Sequence, residues 1–286
     1  MPQPTELQQR DTLEATVRRA QQGERNALEA VVRAIQPDVH KLALRFLCCP
    51  HDAEDASQEI LIRVITGLSS FRGDSSFRTW VYRVANNALL NLRPQRLEQQ
   101  NLDFAGFAAD LAQGLTNGDD HLHDSRLLEE VKIGCTLAML QCLDRSHRLA
   151  YILGEIMELD HSQAAAVLAV TPAAFRKRLS RARADITAFM QSYCGLVNPE
   201  NACRCHKRVD AAISLGRVDA TQLRFAGSTQ QARQFPQVLA HIRQLETARR
   251  AAALYQSHPE PKPANDLSQW LKQLLDEGLG SYEFDT

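Results

Sequence analysis

Along the first 95 positions apolar residues return at the three- and four-residue spacing of α-helices. Leu13, Val17 and Ala20 predict a short amphipathic helix ended by Gly23. Ala27, Leu28, Val31, Val32, Ile35, Val39, Leu42, Phe46 and Leu47 predict a second, which Pro37 should kink or split. A third is expected from near Asp52, where acidic side chains favour a helix start, through Ala56, Ile60, Leu61, Val64 and Ile65 to Gly67. The fourth begins at an N-cap, Ser75 or Ser76, and carries Trp80, Val81, Val84, Ala85, Ala88 and Leu89 toward Arg93-Pro94. From Arg96 to Asp124 the period is lost while Gly106, Gly114, Asn117, Gly118, Asp119 and Asp120 accumulate, the marks of a linker with room for one short helix. Helical spacing resumes at Ser125 and lasts to Met190, interrupted near Asp144, at Leu159-Asp160 and at Val170-Thr171-Pro172. Thr171 as N-cap and Pro172 at the first helical position make the last interruption the turn of a helix-turn-helix.

Past Cys194 lie two or three weaker helices, one marked by Phe235, Val238, Leu239, Ile242 and Leu245. A Pro-rich joint, HPEPKPAND, then precedes a last stripe of Trp270, Leu271, Leu274 and Leu275. No strand-like alternation of useful length occurs, so the expected fold is all-α. Its expected parts are a helical domain over 1–95, a linker over 96–124, a second helical domain over 125–190 and an extension over 191–286.

Composition narrows the function classes more than the fold. The 286 residues suffice for two small domains and additional material. The chain is 44% apolar and 23% charged, ordinary for a globular protein, and no apolar run approaches the roughly 20 residues that cross a bilayer. The polar start MPQPTELQQRD lacks the order of a signal peptide, so a cytoplasmic protein without membrane contact is expected. In that compartment seven cysteines do not form a disulfide framework, and Cys48, Cys49, Cys135 and Cys142 are expected to be buried small hydrophobes. A net charge of −1 gives no global attraction to nucleic acid, so any such binding must come from local clusters.

Two such clusters exist. In SQAAAVLAVTPAAFRKRLSRARADI, Ala165, Leu168 and Val170 can pack against Phe175 and Leu179, leaving Arg176, Lys177, Arg178, Arg181 and Arg183 outward on the second helix. A run of basic residues on a helix is more often only a solvated face. Here the preceding short helix and turn favour a helix that enters the DNA major groove, its cations neutralising phosphates. In FRGDSSFRTWVYRVANNALLNLRP, Phe71, Phe77, Trp80 and Tyr82 alternate with Arg72, Arg78, Arg83 and Arg93, and Asn86, Asn87 and Asn91 follow. Aromatic rings stack on unpaired bases while arginines follow the backbone, yet Phe77, Trp80 and Val84 also have the spacing of a core.

These segments, with DAEDASQEILIRVI before the second of them, resemble regions 2 and 4 of the extracytoplasmic-function (ECF) sigma factors over most of residues 11–190. Nothing between them resembles the region 3 of housekeeping sigma factors. The resemblance implies partners: core RNA polymerase, promoter DNA as duplex and melted strand, and, in regulation, an anti-sigma factor. It implies that Asp52, Asp55, Gln58 and Glu59 dock on the polymerase. It assigns the minus-10 element to Phe71, Arg72, Phe77, Arg78, Trp80, Arg83, Asn86, Asn87 and Arg93. The minus-35 element falls to Thr171, Ala174, Phe175, Arg176, Lys177, Arg178, Arg181 and Arg183. Asn91, where the family commonly has Asp, and Ser162-Gln163-Ala164-Ala165 in place of Glu-Glu-Ile-Ala bear on which promoter is read. A stand-alone helix-turn-helix regulator is the alternative, but it leaves residues 71–93 without a use. No nucleophile elbow, phosphate loop or metalloprotease motif points to an enzyme.

The extension opens with Cys194, Cys203, Cys205 and His206 within 13 residues. No cofactor is required by the family. Four soft donors could hold zinc or another soft metal, but the spacing is not that of a standard zinc finger. A redox-reactive thiol cluster and incidental cysteines are the competing readings. The extension is expected to fold back on the sigma domains or bind the polymerase and regulate activity, against a lobe that only adds stability.

Overall fold

The computed structural model describes residues 6–93, 98–100, 102–113, 115 and 124–261. Among them the chain forms twelve α-helices and no strand, an all-α fold as expected. Pro94, Gly114, Asn117, Gly118, Asp119, Asp120 and the Trp270, Leu271, Leu274, Leu275 stripe lie outside the described residues.

The chain divides into two compact units. The first takes in described residues to Ala43 and His51–Asn91; the second takes in Leu44–Pro50 and Leu92–Glu260. In the first, α1 (Glu6–Gln21) is separated from α2 (Arg25–Leu47) by Gly23, whose φ of +89° is the left-handed conformation that only glycine adopts freely. The α2 helix runs unbroken through Pro37, so the proline does not split it. Next come α3 (Pro50–Thr66) and α4 (Phe77–Asn91). Of the two serines, Ser76 caps α4, its Oγ accepting from the Thr79 N–H at 3.2 Å, while the Glu14 carboxylate of α1 accepts from the Phe77 N–H at 2.8 Å. Val31, Ile35, Val39, Ile60, Leu61, Val64, Phe77, Val81 and Leu89 are buried, which is the stripe the spacing predicts.

Aspartates start four of the eight α-helices described in the second unit. Asp103, Asp124, Asp144 and Asp160 cap α5 (Phe104–Ala112), α6 (Ser125–Gln141), α7 (Arg145–Tyr151) and α8 (His161–Val167) respectively. Each carboxylate accepts from the N–H groups that a helix start leaves unpaired and complements its dipole. A π-helical turn over Ile152–Ile156 follows α7, and Gly154 lies in it because a Cβ there would come within 2.8 Å of the Leu179 side chain. The long α9 (Pro172–Tyr193) has Thr171 as N-cap and Pro172 in its first turn.

Past α9 come α10 (Val209–Ser214), α11 (Thr229–Gln244) and α12 (Thr247–Gln256), with a Ser228–Gln231 capping box starting α11. They pack inside the second unit: α10 and α11 on α6, and α12 on α9 and the π turn. Val209, Ala212 and Val218 form a small core with Val131. Tyr255 is fully buried edge-on to Tyr151, ring centroids 5.7 Å apart, and donates to the Thr136 carbonyl at 2.8 Å.

Candidate nucleic-acid interface

The helix-turn-helix is built as its sequence requires. Asp160 starts α8, Ala164, Ala165 and Val167 turn inward, and Ala169 takes φ +52° to close the helix, with the Val170 N–H donating to the Ala165 carbonyl at 3.0 Å. Thr171 then restarts the chain, its hydroxyl accepting from the Ala174 N–H at 3.2 Å. Phe175, Leu179, Ala182 and Ile186 are buried on one side of α9, which leaves Thr171, Arg176, Lys177, Ser180 and Arg181 exposed on the other. Ala174 and Arg178 are half-buried at its edge. Phe175, expected among the DNA-facing residues, is wholly inside. Arg183 is committed elsewhere: it pairs with Glu155 of the π turn, Nε to Oε1 at 3.0 Å. The free basic surface is therefore Arg176, Lys177 and Arg181, on the first three turns of a capped helix.

The aromatic and arginine segment is sorted in the same way. Phe77 is fully buried, and it contacts both Phe71 (5.2 Å between centroids) and Trp80 (5.7 Å), which are only partly covered. Asn86 is buried at 3% exposure. Phe77 and Asn86 thus support a surface from within. Outward are Arg72, Arg78, Arg83, Asn87 and Arg93, with Arg78 paired to Asp38 of α2. The loop before α4 is held in place by Gln21, whose amide donates to the Leu68 and Phe71 carbonyls at 3.0 and 2.9 Å.

On α3 the apolar side is Ala53, Ala56, Ile60, Leu61, Val64 and Ile65. Asp52, Asp55, Gln58 and Glu59 occupy the other side, exposed or half-buried, with Asp55 beside His51 (3.2 Å) and Glu59 paired with Arg63. This is a negative ridge backed by a rigid core.

Cys194 and Cys203 are bridge partners, with the Gly195 N–H donating to the Cys203 carbonyl at 3.1 Å. A Cβ at Gly195 would meet that carbonyl at 2.1 Å, which requires glycine there. Burial raises the Cys194 thiol and pushes Cys203 up to about 11, so both stay protonated near neutrality. Cys135 of α6 lies within electrostatic reach of Cys194, Cys203 and Cys205, and burial raises it further. Among the described residues no group of three or more His, Cys, Asp or Glu side chains is arranged to hold a metal ion. Cys48 is buried as expected; Cys49, Cys135 and Cys142 are partly covered.

Other polar groups, singled out by nothing in the sequence, hold the extension. Glu130, 2% exposed, accepts from the backbone N–H groups of Arg224, Phe225 and Ala226, each at 2.8 Å, and Glu129 accepts from Gly227 N–H at 3.0 Å. The Lys132 ammonium sits 3.5 Å over the Phe235 ring, and burial brings it down to about 8. Arg145 and Arg148 both pair with Glu98, at 2.7 and 2.8 Å.

Comparison with known proteins places the chain in a family. Residues 31–96 match the family model for sigma-70 region 2. RNA polymerase sigma-H factor of Pseudomonas aeruginosa is 30% identical over 177 residues, covering 61% of this chain and 92% of that protein. RNA polymerase sigma factor NccH of Alcaligenes xylosoxydans xylosoxydans is 28% identical, covering 63% and 95%. ECF RNA polymerase sigma-E factor of Escherichia coli strain K12 is 29% identical, covering 61% and 92%. A solved structure of CnrH in complex with the cytosolic domain of CnrY covers 62% of this chain and 96% of that chain, at 23% identity and a TM-score of 0.45. No described helix is long and apolar enough to cross a membrane. With nearly the whole length of these relatives matched, the chain belongs to the ECF group of RNA polymerase sigma factors, DNA-binding proteins of transcription initiation.

Proposed function

We propose that the chain brings core RNA polymerase to promoters by dividing the work among three surfaces. The negative ridge of Asp52, Asp55, Gln58 and Glu59 docks on a basic face of the polymerase. Phe71 and Trp80, with Arg72, Arg78, Arg83, Asn87 and Arg93 around them, hold the melted strand of the minus-10 element, where rings stack on bases and cations follow phosphates. The α9 helix enters the major groove at the minus-35 element, where Arg176, Lys177 and Arg181 reach phosphates or guanine edges, with Thr171, Ala174 and Arg178 alongside. Phe77, Asn86 and Phe175 shape these surfaces from inside, and Arg183 orients α9 through Glu155.

The observation that carries this reading is the exposed Arg176–Lys177–Arg181 face on a helix whose opposite side is fully packed. Run-off transcription with purified core polymerase tests it. The chain should yield promoter-specific transcripts, and Arg176→Ala with Lys177→Ala should weaken promoter binding and lower the salt slope by about 1 for each phosphate no longer neutralised. A chain that forms no holoenzyme with core would overturn the reading.

A further inference from the structure

The π turn between α7 and α8 is gripped from two sides. On one side it lies against the buried flank of α9, where a Cβ on Gly154 would come within 2.8 Å of Leu179 and 3.2 Å of Phe175. The Glu155 carboxylate of the same turn, its side chain 15% exposed, accepts from Arg183 Nε at 3.0 Å and also from Nη2. On the other side the Glu155 main-chain carbonyl accepts from the side-chain amide of Gln256, at the end of α12, at 2.7 Å. The turn ends at Ile156, so this carbonyl is one of the last of a helix, which have no partner within the helix itself. Gln256 supplies the missing donor. One residue thus joins two helices, its main chain tied to α12 and its side chain to α9.

The rest of α12 fixes where that donor sits. Leu254 and Tyr255 are 1% and 0% exposed, and the Tyr255 ring meets Tyr151, the residue just before the π turn. Nearer the start of α12, Arg250 donates to the Val197 carbonyl at 3.2 Å, beyond the end of α9. With Arg250 beside Val197 and Gln256 beside Glu155, α12 runs back along α9 toward the half that carries Arg176, Lys177 and Arg181. From this path we infer that α12 of the extension takes part in reading the minus-35 element, with Gln256 as a positioning residue that seats α9 through Glu155 and Arg183. The inference rests on the assignment of α9 to the minus-35 duplex in the previous subsection. Base-edge contacts depend on geometry and must be held to about 0.5 Å, whereas contacts to phosphates carry no sequence information. A loosened seat for α9 therefore costs discrimination between sequences and leaves the general attraction to DNA in place.

The test uses holoenzyme formed from the full chain and core polymerase. It is titrated with duplex carrying a promoter recovered by run-off transcription, and with the same duplex in which the minus-35 element is scrambled. Gln256 is exposed, so its replacement uncovers no core. Gln256→Ala should lower the ratio of the two affinities about five-fold, the effect of one hydrogen bond, while the salt slope on the scrambled duplex stays that of the wild type. Gln256→Lys, which restores a donor, should recover most of the ratio. In an Arg183→Ala background the ratio should already be low and Gln256→Ala should lower it no further, because the path through Glu155 is gone. An unchanged ratio for Gln256→Ala overturns the inference. So does a lysine variant no better than alanine, or a full additional loss in the Arg183→Ala background, since either leaves Gln256 a cap of the turn with no part in reading DNA. A wild-type holoenzyme that binds the two duplexes equally instead overturns the assignment of α9 on which the inference rests.

Discussion

Glu130 shows what a single residue can do in this fold. The segment Arg224–Gly227 is irregular, and its backbone N–H groups have no helix or sheet to satisfy them. One buried carboxylate takes three of them and a neighbouring one the fourth. Glu130→Gln puts an amide donor against backbone donors, so it should destabilise the second unit by about 3 kcal/mol, measured by denaturant unfolding. His258 makes the opposite demand. It is buried against Thr136 at 3.0 Å, and burial, together with the Lys132 and Arg45 charges, holds its imidazole well below 6.5. The folded state therefore keeps His258 neutral while the unfolded chain protonates it near 6.5. Stability present above about pH 6.5 should fall as the pH drops below that value, by up to about 1.4 kcal/mol per pH unit. A pH series of unfolding midpoints in which His258→Asn retains the full acid slope would refute this. Neither residue was legible in the sequence. Glu129-Glu130 in SRLLEEVKIG has the pattern of an exposed helix edge, and only the folded extension covers it. Phe77 and Phe175 show the same limit, since a ring that stacks on bases and a ring that fills a core have the same composition and the same helical spacing.

At the scale of elements the sequence was far more informative, because helix boundaries are written in local chemistry. The Thr171 cap, the turn before Pro172 and the Gly23 break all lie where residue type demands them. The linker helix α5 was legible only as a short helix within irregular chain. Its partners Arg208 and Arg217 stand about a hundred positions away, and no local pattern links them to Asp110. The turn of the helix-turn-helix also contains an unusual choice: Ala169 adopts φ +52°, where a Cβ is strained. Ala169→Gly should stabilise the second unit by about 1 kcal/mol, whereas Thr171→Ala should cost about 1 kcal/mol because α9 is then uncapped. Thermal unfolding of the two variants should therefore move in opposite directions from the wild type. If Ala169→Gly lowers the midpoint, the strain assigned to this turn is not there.

At the scale of the whole molecule, the relatives match only about three-fifths of the chain, and the rest is the section that sequence patterns described least well. Its helices looked weak because each presents a narrow apolar side, and they hold only by adding to a core that α6, the π turn and α9 already begin. Tyr255 and Ala251, with 0% and 1% exposure, and Val209, fully buried, are core residues of the second unit itself. The extension is therefore not a detachable lobe. Ending the chain after Tyr193 would uncover Tyr151, Val131 and Thr136 and leave the Glu129 and Glu130 carboxylates and the Lys132 ammonium without their covering partners. Apolar surface returned to water costs about 25 cal/mol for each Å², so uncovering these core side chains removes several kcal/mol from a total stability of about 5–15 kcal/mol for a domain. The truncated chain should consequently lose the cooperative unfolding of its second unit and bind minus-35 duplex poorly, while the first unit, whose core lies within residues 17–89, keeps its helix content. Calorimetry of the truncated and full chains distinguishes this from a regulatory appendage. A truncated protein that unfolds at the full-length midpoint would mean that the matched three-fifths suffices for the fold and that the buried side chains of the extension add nothing to it.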